Sequence, residues 1–340
     1  MNKGKKVKAI WIGFMVIFFV FIFVLNSTLE YNEPQDKPTG IVYEKGKVVN
    51  VLLDELAEDP DFPYIKIGKQ KFEMEILTGE YKGKIVTVNN FVGRLGDNMP
   101  GKLGTKYVIY SFDNFTTTVI SNYSRENIMY LLFFLFLLVV VVLGRLKGLK
   151  SIIALGFTLI CIVFLFIPMV IKGVDTIAAA CFAVILSAIV TLLFLNGWST
   201  KTFAAATSCI ICTMLSGIIA YGFGLLAHVN TLNTEQAQEL LFISQNTNLK
   251  VNNLLFSGIL FSSLGAITDT TISIASSISE LKLLNPKMNH KQLFKSGMNI
   301  GKDIMGTMTD TLILAFAGGS INLFIIFYMY SMPYIQVVNL

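Results

Sequence analysis

Charge is scarce in this sequence. Only 14% of its 340 residues are Asp, Glu, Lys or Arg, against 54% hydrophobic residues and a mean hydropathy of +0.64. A soluble domain carries about a quarter charged residues, so a water-soluble globule is excluded. Histidine occurs twice, as His228 and His290, in segments too far apart along the chain to serve one metal site. All four cysteines (Cys161, Cys181, Cys209, Cys212) fall in apolar runs and none in residues 30–127, which excludes a disulfide-stapled domain there. Cys209 and Cys212 form a C-x-x-C with no second pair or nearby histidine, a pattern that fits packing better than metal binding. No phosphate-cradling Gly-Lys-Ser/Thr sequence is present, so ATP-driven transport by this chain is not indicated and no cofactor is expected. The net charge of +5 comes without a basic helix carrying base-reading residues, so nucleic acid is not an expected partner.

Long apolar runs dominate what is present. A bilayer crossing takes about 17–25 mostly apolar residues. Runs at 9–29, 128–144, 151–171, 176–196, 203–223, 253–279 and 303–330 meet that length, or come close to it, and predict a polytopic α-helical protein of about seven membrane segments. The first follows the basic "MNKGKKVK" and is longer than a signal-peptide core, without a small-x-small cleavage site, so it reads as an uncleaved anchor. The expected division is an anchor over 1–29, an exterior β-rich module over 30–127 and a multi-span domain over 128–340. Lysines and arginines support this orientation. Lys3, Lys5, Lys6 and Lys8, then Arg145, Lys147 and Lys150, then Lys201, then Lys282, Lys287, Lys291, Lys295 and Lys302 gather on the side of the N-terminus. The short loops opposite hold Lys172 and Lys250 alone, so the N-terminus is expected in the cytoplasm.

Between the first two runs the periodicity changes. In "KFEMEILTGEYKGKIVTVNN", Phe72, Met74 and Ile76 alternate with Lys71, Glu73 and Glu75, turn at "TGEYKG" and resume at Ile85. About five short strands with glycine turns predict a small SH3- or OB-like barrel. Its mixed charges suit a scaffold or docking role. Between the fifth and sixth runs, "NTEQAQELLFISQNTN" predicts a short interfacial helix, with Ala237, Leu240, Leu241 and Ser244 at helical spacing.

The tripeptide Thr-Asp-Thr occurs twice inside apolar runs, in "GAITDTTISIASSISE" and in "GTMTDTLILAFAGGS". Counted from the nearer polar end of each run, Asp269 and Asp310 both lie near mid-membrane at ~1.5 Å per residue. Asp269, Ser273, Ser276 and Glu280 share one helical face; Asp303, Thr307, Asp310 and Ala317 share another. Gly265 and Gly306 stand four positions before the aspartates and mark places where the helices could be interrupted, as in transporters built from broken helices. The plainer alternative is that each Thr-Asp-Thr caps a helix after a re-entrant segment. Ionisable residues at this depth are expensive and point to function. A cation site is therefore expected, with Asp269, Asp310, Asp303 and Glu280 as carboxylates and Thr268, Thr270, Ser273, Thr307, Thr309 and Thr311 as hydroxyls. Which metal, if any, the pattern does not specify. An aspartyl peptidase dyad is the enzymatic alternative, but Ile267-Thr268-Asp269 and Met308-Thr309-Asp310 match neither Tyr-Asp nor Gly-x-Gly-Asp, so a non-enzyme is expected.

From "GLLAHVNTLNTEQAQELL" through the two aspartate motifs to "FAGGS", the chain resembles the YibE/F family of bacterial multi-pass membrane proteins. The resemblance covers roughly residues 120–335, and the leading span and β module are similar to its longer members. It implies architecture and a bacterial cell membrane, with little chemistry. The expected function is a cation-linked transporter or permease acting on a small cation or a cation-coupled substrate, alone or as an oligomer with itself or a related membrane protein. The alternative is a non-transporting scaffold or sensor whose exterior module binds an envelope partner.

Overall fold

The computed structural model describes residues 3–28, 41–96, 98–234, 236–245 and 247–339, with side chains from residue 13 onward except that of Asn233. The side chains of the lysine run at 3–8, and residues 29–40 of the expected anchor and exterior segment, lie outside that description. The chain forms two compact units, one of residues 34–143 and one of residues 1–33 with 144–340.

The first of these units is built on strands β1 (Val42–Glu58), β2 (Lys66–Ile76), β3 (Ile85–Val92), β4 (Lys106–Ser111) and β5 (Val119–Tyr123). They pair antiparallel in the order β3-β2-β1-β4-β5. The long β1 serves both neighbours, and register shifts after Val48 and Val51 bend it. The sheet curls until its two edges meet at one bridge, Val88 to Thr118. It is a half-barrel rather than the closed barrel expected. The alternation in the sequence is realised: Phe72, Met74 and Ile76 are fully buried and pack with Val48, Val88, Tyr107 and Ile109. Arg94 clasps Asp59 and Asp61 at one end of the sheet. Burial alone would raise the Asp59 carboxyl, but the N–H groups of Asp61 and Phe62 and the Arg94 guanidinium outweigh it and hold it low.

The other unit is helical. Its elements are α1 (Lys3–Ser27), the latter part of α2 (Glu126–Ile160), a π-helical turn (Cys161–Phe166), α3 (Ile167–Ile171), α4 (Thr176–Asn196), α5 (Thr200–Leu226), α6 (Ala237–Gln245), α7 (Leu254–Leu284), α8 (His290–Gly319), α9 (Ile321–Met329) and α10 (Tyr334–Val338). Asp175 caps α4 by accepting from the Ala178 N–H, Ser199 caps α5, and Asn289 with Gln292 forms a capping box on α8. The short α6 falls where helical spacing predicts it. The core lies among the π turn, α4, α5 and the first half of α7, where Leu165, Ala183, Val184, Leu192, Cys209 and Leu260 are buried. α1 joins it through Phe18, which packs on Phe157.

Among the described residues, four helices are long and apolar enough to cross a membrane: Glu126–Ile171 taken as one, Thr176–Asn196, Thr200–Leu226 and Val251–Leu284. A fifth results if α8 and α9, bent by 64° at Ser320, count as one span. The helices are broken, but not where glycine suggested. Arg145, at φ 47°, interrupts α2, and the π turn sits ahead of Pro168. Both Thr-Asp-Thr motifs lie within unbroken α-helix. The expected interruptions at Gly265 and Gly306 are thus corrected, and with them the capping explanation, because neither Asp269 nor Asp310 stands at a helix start. Gly265 and Gly306 have nothing within 4 Å of where a Cβ would sit, so neither marks a close approach.

Candidate functional site

Helices α7 and α8 run antiparallel and meet along one seam. The Thr270 hydroxyl lies 3.3 Å from Met308 Sδ; lower down, Gly301 faces Ile274 and Gly297 faces Ile278. A Cβ at Gly297 would come within 2.7 Å of Ile278 Cδ1, so the glycine permits this approach. The Thr270–Met308 contact puts Asp269 and Asp310 at nearly the same height, about one residue or ~1.5 Å apart along the helix axes.

The two carboxylates do not face each other. A cavity of about 860 Å³ opens between α5, α7 and α8. Ile267 and Thr271 line it, and each lies about 200° round α7 from Asp269. Met308 and Leu312 line it likewise, about 200° round α8 from Asp310. Both aspartates therefore sit on the faces turned away from the seam, and both are exposed in the single chain. Ser273, Ser276 and Glu280 fall within about 40° of Asp269, and Asp303 within about 20° of Asp310. The stripes read from spacing are real, but they run along outer faces.

The hydroxyls divide between two roles. Thr268, Thr270 and Thr271 donate to the carbonyls of Leu264, Ala266 and Ile267, and Thr311 donates to that of Thr307. Thr307 donates to Ile304 O at 3.0 Å. Such back-bonding satisfies a hydroxyl inside its own helix, which lowers its cost in an apolar setting. Thr268 also meets Cys209 Sγ at 3.4 Å, joining α7 to α5. Thr270 and Thr309 line the cavity, each about 100° round its helix from the neighbouring carboxylate. Among the described residues no three His, Cys, Asp or Glu side chains gather as a metal site requires. The cavity's own features are not legible in the sequence. Lys201 and Lys282, which read there as loop charges, stand at one end of it. Only the packing of α5 on α7 and α8 brings them together.

A mostly helical chain with several spanning-length apolar helices and a small curled sheet is a membrane protein. Residues 132–340, well over half of the chain, match the family described as YibE/F-like protein, and the chain belongs to that family. No curated protein and no solved structure matches it.

Proposed function

We propose that this chain is a subunit of a cation-linked transporter in a bacterial cell membrane, and that its polar path runs along the outer faces of α7 and α8, closed by a second membrane subunit. One observation carries the reading: two carboxylates at matched height, on adjacent helices, face away from the chain's own core. An aspartate facing hydrocarbon near mid-bilayer costs about 2.5–3.5 kcal/mol even on insertion scales, so a face with Asp269, Asp310 and Asp303 calls for a cover. Between the cover and the stripes, water and a cation or proton would offset the charge. Outward Gly265, Gly306 and Gly318 leave room for a partner helix. Seven crossings result if α1 spans, Arg145 divides Glu126–Ile171 in two and α8 with α9 counts once.

Vesicles holding the purified protein test this with sodium and proton uptake. Asp269→Asn and Asp310→Asn should each remove most of the flux at matched folded yield, and the double variant should be no worse. A cysteine at Ser276, on the outer face, should cross-link to the covering subunit, whereas one at Ile274, on the seam, should not. Normal flux in both Asn variants would sink the proposal.

An exposed strip on the β unit favours the second reading, a scaffold. Phe62 and Phe91 lie open beside the cations Arg94 and Lys69, with Tyr64 83% and Leu95 86% exposed nearby. A folded protein without flux that loses an envelope partner on Phe91→Ser would decide for it.

A further inference from the structure

The cavity between α5, α7 and α8 has a polarity of its own. Its walls are apolar, with Ala266, Ile278, Met305 and Leu312 among them, and no Asp or Glu lines it among the described residues. Two ammonium groups stand at one end, Lys201 in the first turn of α5 and Lys282 in the last turn of α7. The positive end of the α5 dipole adds to them. Lys282 Nζ donates to Pro286 O and Met288 O, both at 2.8 Å, which fixes the amine. An ammonium has three donors, so one remains. From Ala266 to Leu283 the wall on α7 runs about 25 Å at ~1.5 Å per residue, close to half of a ~45 Å bilayer with its headgroups. The volume of about 860 Å³ lies in the range of sites that enclose a small molecule. The groove opens sideways, since Ala204, Ser208 and Cys212 on its α5 wall are exposed.

We propose that this groove holds an anionic phospholipid, with an acyl chain along the apolar wall and the phosphate between Lys201 and Lys282. An apolar trough one leaflet long with positive charge at one end complements a lipid of one negative charge, and basic pockets between spanning helices bind such headgroups. Neither a second copy nor a segment of this chain offers that match as directly, because both would have to bring an anion to the lysine end. The site is independent of the aspartate stripes, which lie on the other faces of α7 and α8.

The test uses the full chain in detergent, with lipid retention read by native mass spectrometry and stability by thermal melting. Phosphatidylglycerol should be retained and should raise the melting temperature. Phosphatidylcholine with the same acyl chains should be retained roughly tenfold less, and inorganic phosphate alone should do nothing. Lys201→Gln should erase the preference for phosphatidylglycerol, and it leaves the carbonyl contacts of Lys282 intact. Ala204→Trp, which fills the groove without changing charge, should abolish retention of both lipids while the protein still elutes as one species. Equal retention of the two lipids, or phosphatidylglycerol held as before by either variant, would overturn the proposal. So would phosphate alone stabilising as well as the lipid, or Ala204→Trp dissociating an oligomer without altering lipid retention.

Discussion

Asn26 on α1 answers a gap that Pro168 opens. Proline has no N–H to give the carbonyl four residues back, that of Phe164. Asn26 Nδ2 donates to it at 2.9 Å, and to Ile22 O at 2.8 Å. Asn26→Leu removes that donor in an apolar setting and should cost about 1 kcal/mol, seen as a lower melting temperature in detergent. An unchanged melt would mean that the contact carries nothing. In the β unit, Asp113 plays a comparable local part. Its carboxylate accepts the Thr117 and Thr116 N–H groups and the Ser111 hydroxyl, which hold the pKa down to about 2. An unfolded Asp titrates near 3.9. The contribution is therefore complete above about pH 4 and is lost as pH falls toward 2. The β unit should melt at lower temperature between those values, and Asp113→Asn should flatten that part of the profile. An equally steep profile in the variant would remove Asp113 from the account.

Among the elements, glycines set how closely the helices approach. A Cβ on Gly224 of α5 would stand 2.4 Å from Phe256 Cε1, and one on Gly217 the same distance from Leu260 Cδ2. Gly222, between them, meets nothing within 4 Å. Gly224→Val should overpack the α5–α7 contact by about 1–3 kcal/mol, whereas Gly222→Val should stay within the small helix-propensity change. Equal melting temperatures for the two variants would show that this contact yields. The same glycines mark what a single sequence can tell. Glycines at helical spacing mark faces where helices can approach, but a single sequence does not name the partner. Gly297 and Gly301 do meet Ile278 and Ile274, while Gly306, Gly318 and Gly319 meet nothing within 4 Å among the described residues. The aspartate stripes were legible for the same reason. Their direction was not, because it depends on which face α7 and α8 turn to each other, and Thr270, Met308 and the isoleucines decide that. Helix continuity was hidden too: a glycine four positions before an aspartate reads the same in a broken helix and an intact one.

At the scale of the whole molecule, the strand alternation around residues 71–76 and the apolar runs after residue 127 each pointed to self-sufficient parts. The fold has a curled sheet with its own core and a helical unit with another. Residues 41–125 made alone should give a cooperative melt, and a chain lacking them should still purify as one species in detergent. Aggregation of both pieces would show that neither folds without the other. A cysteine at Lys82 should react with an impermeant thiol reagent in intact cells and one at Lys291 should not; the reverse pattern would invert the orientation read from the lysines. The π turn at Cys161–Phe166 bears on how tolerant the chain is of changes in length. Such a turn accommodates one residue more than an α-helix would use. Deleting a single residue there would let the helix close in the ordinary register with α3 keeping its orientation, whereas a deletion inside the regular α4 would turn everything after it by about 100°. Pro168 and Val170, both buried, would then stay in the core. A one-residue deletion in this turn should therefore lower the melting temperature in detergent less than a one-residue deletion in the middle of α4.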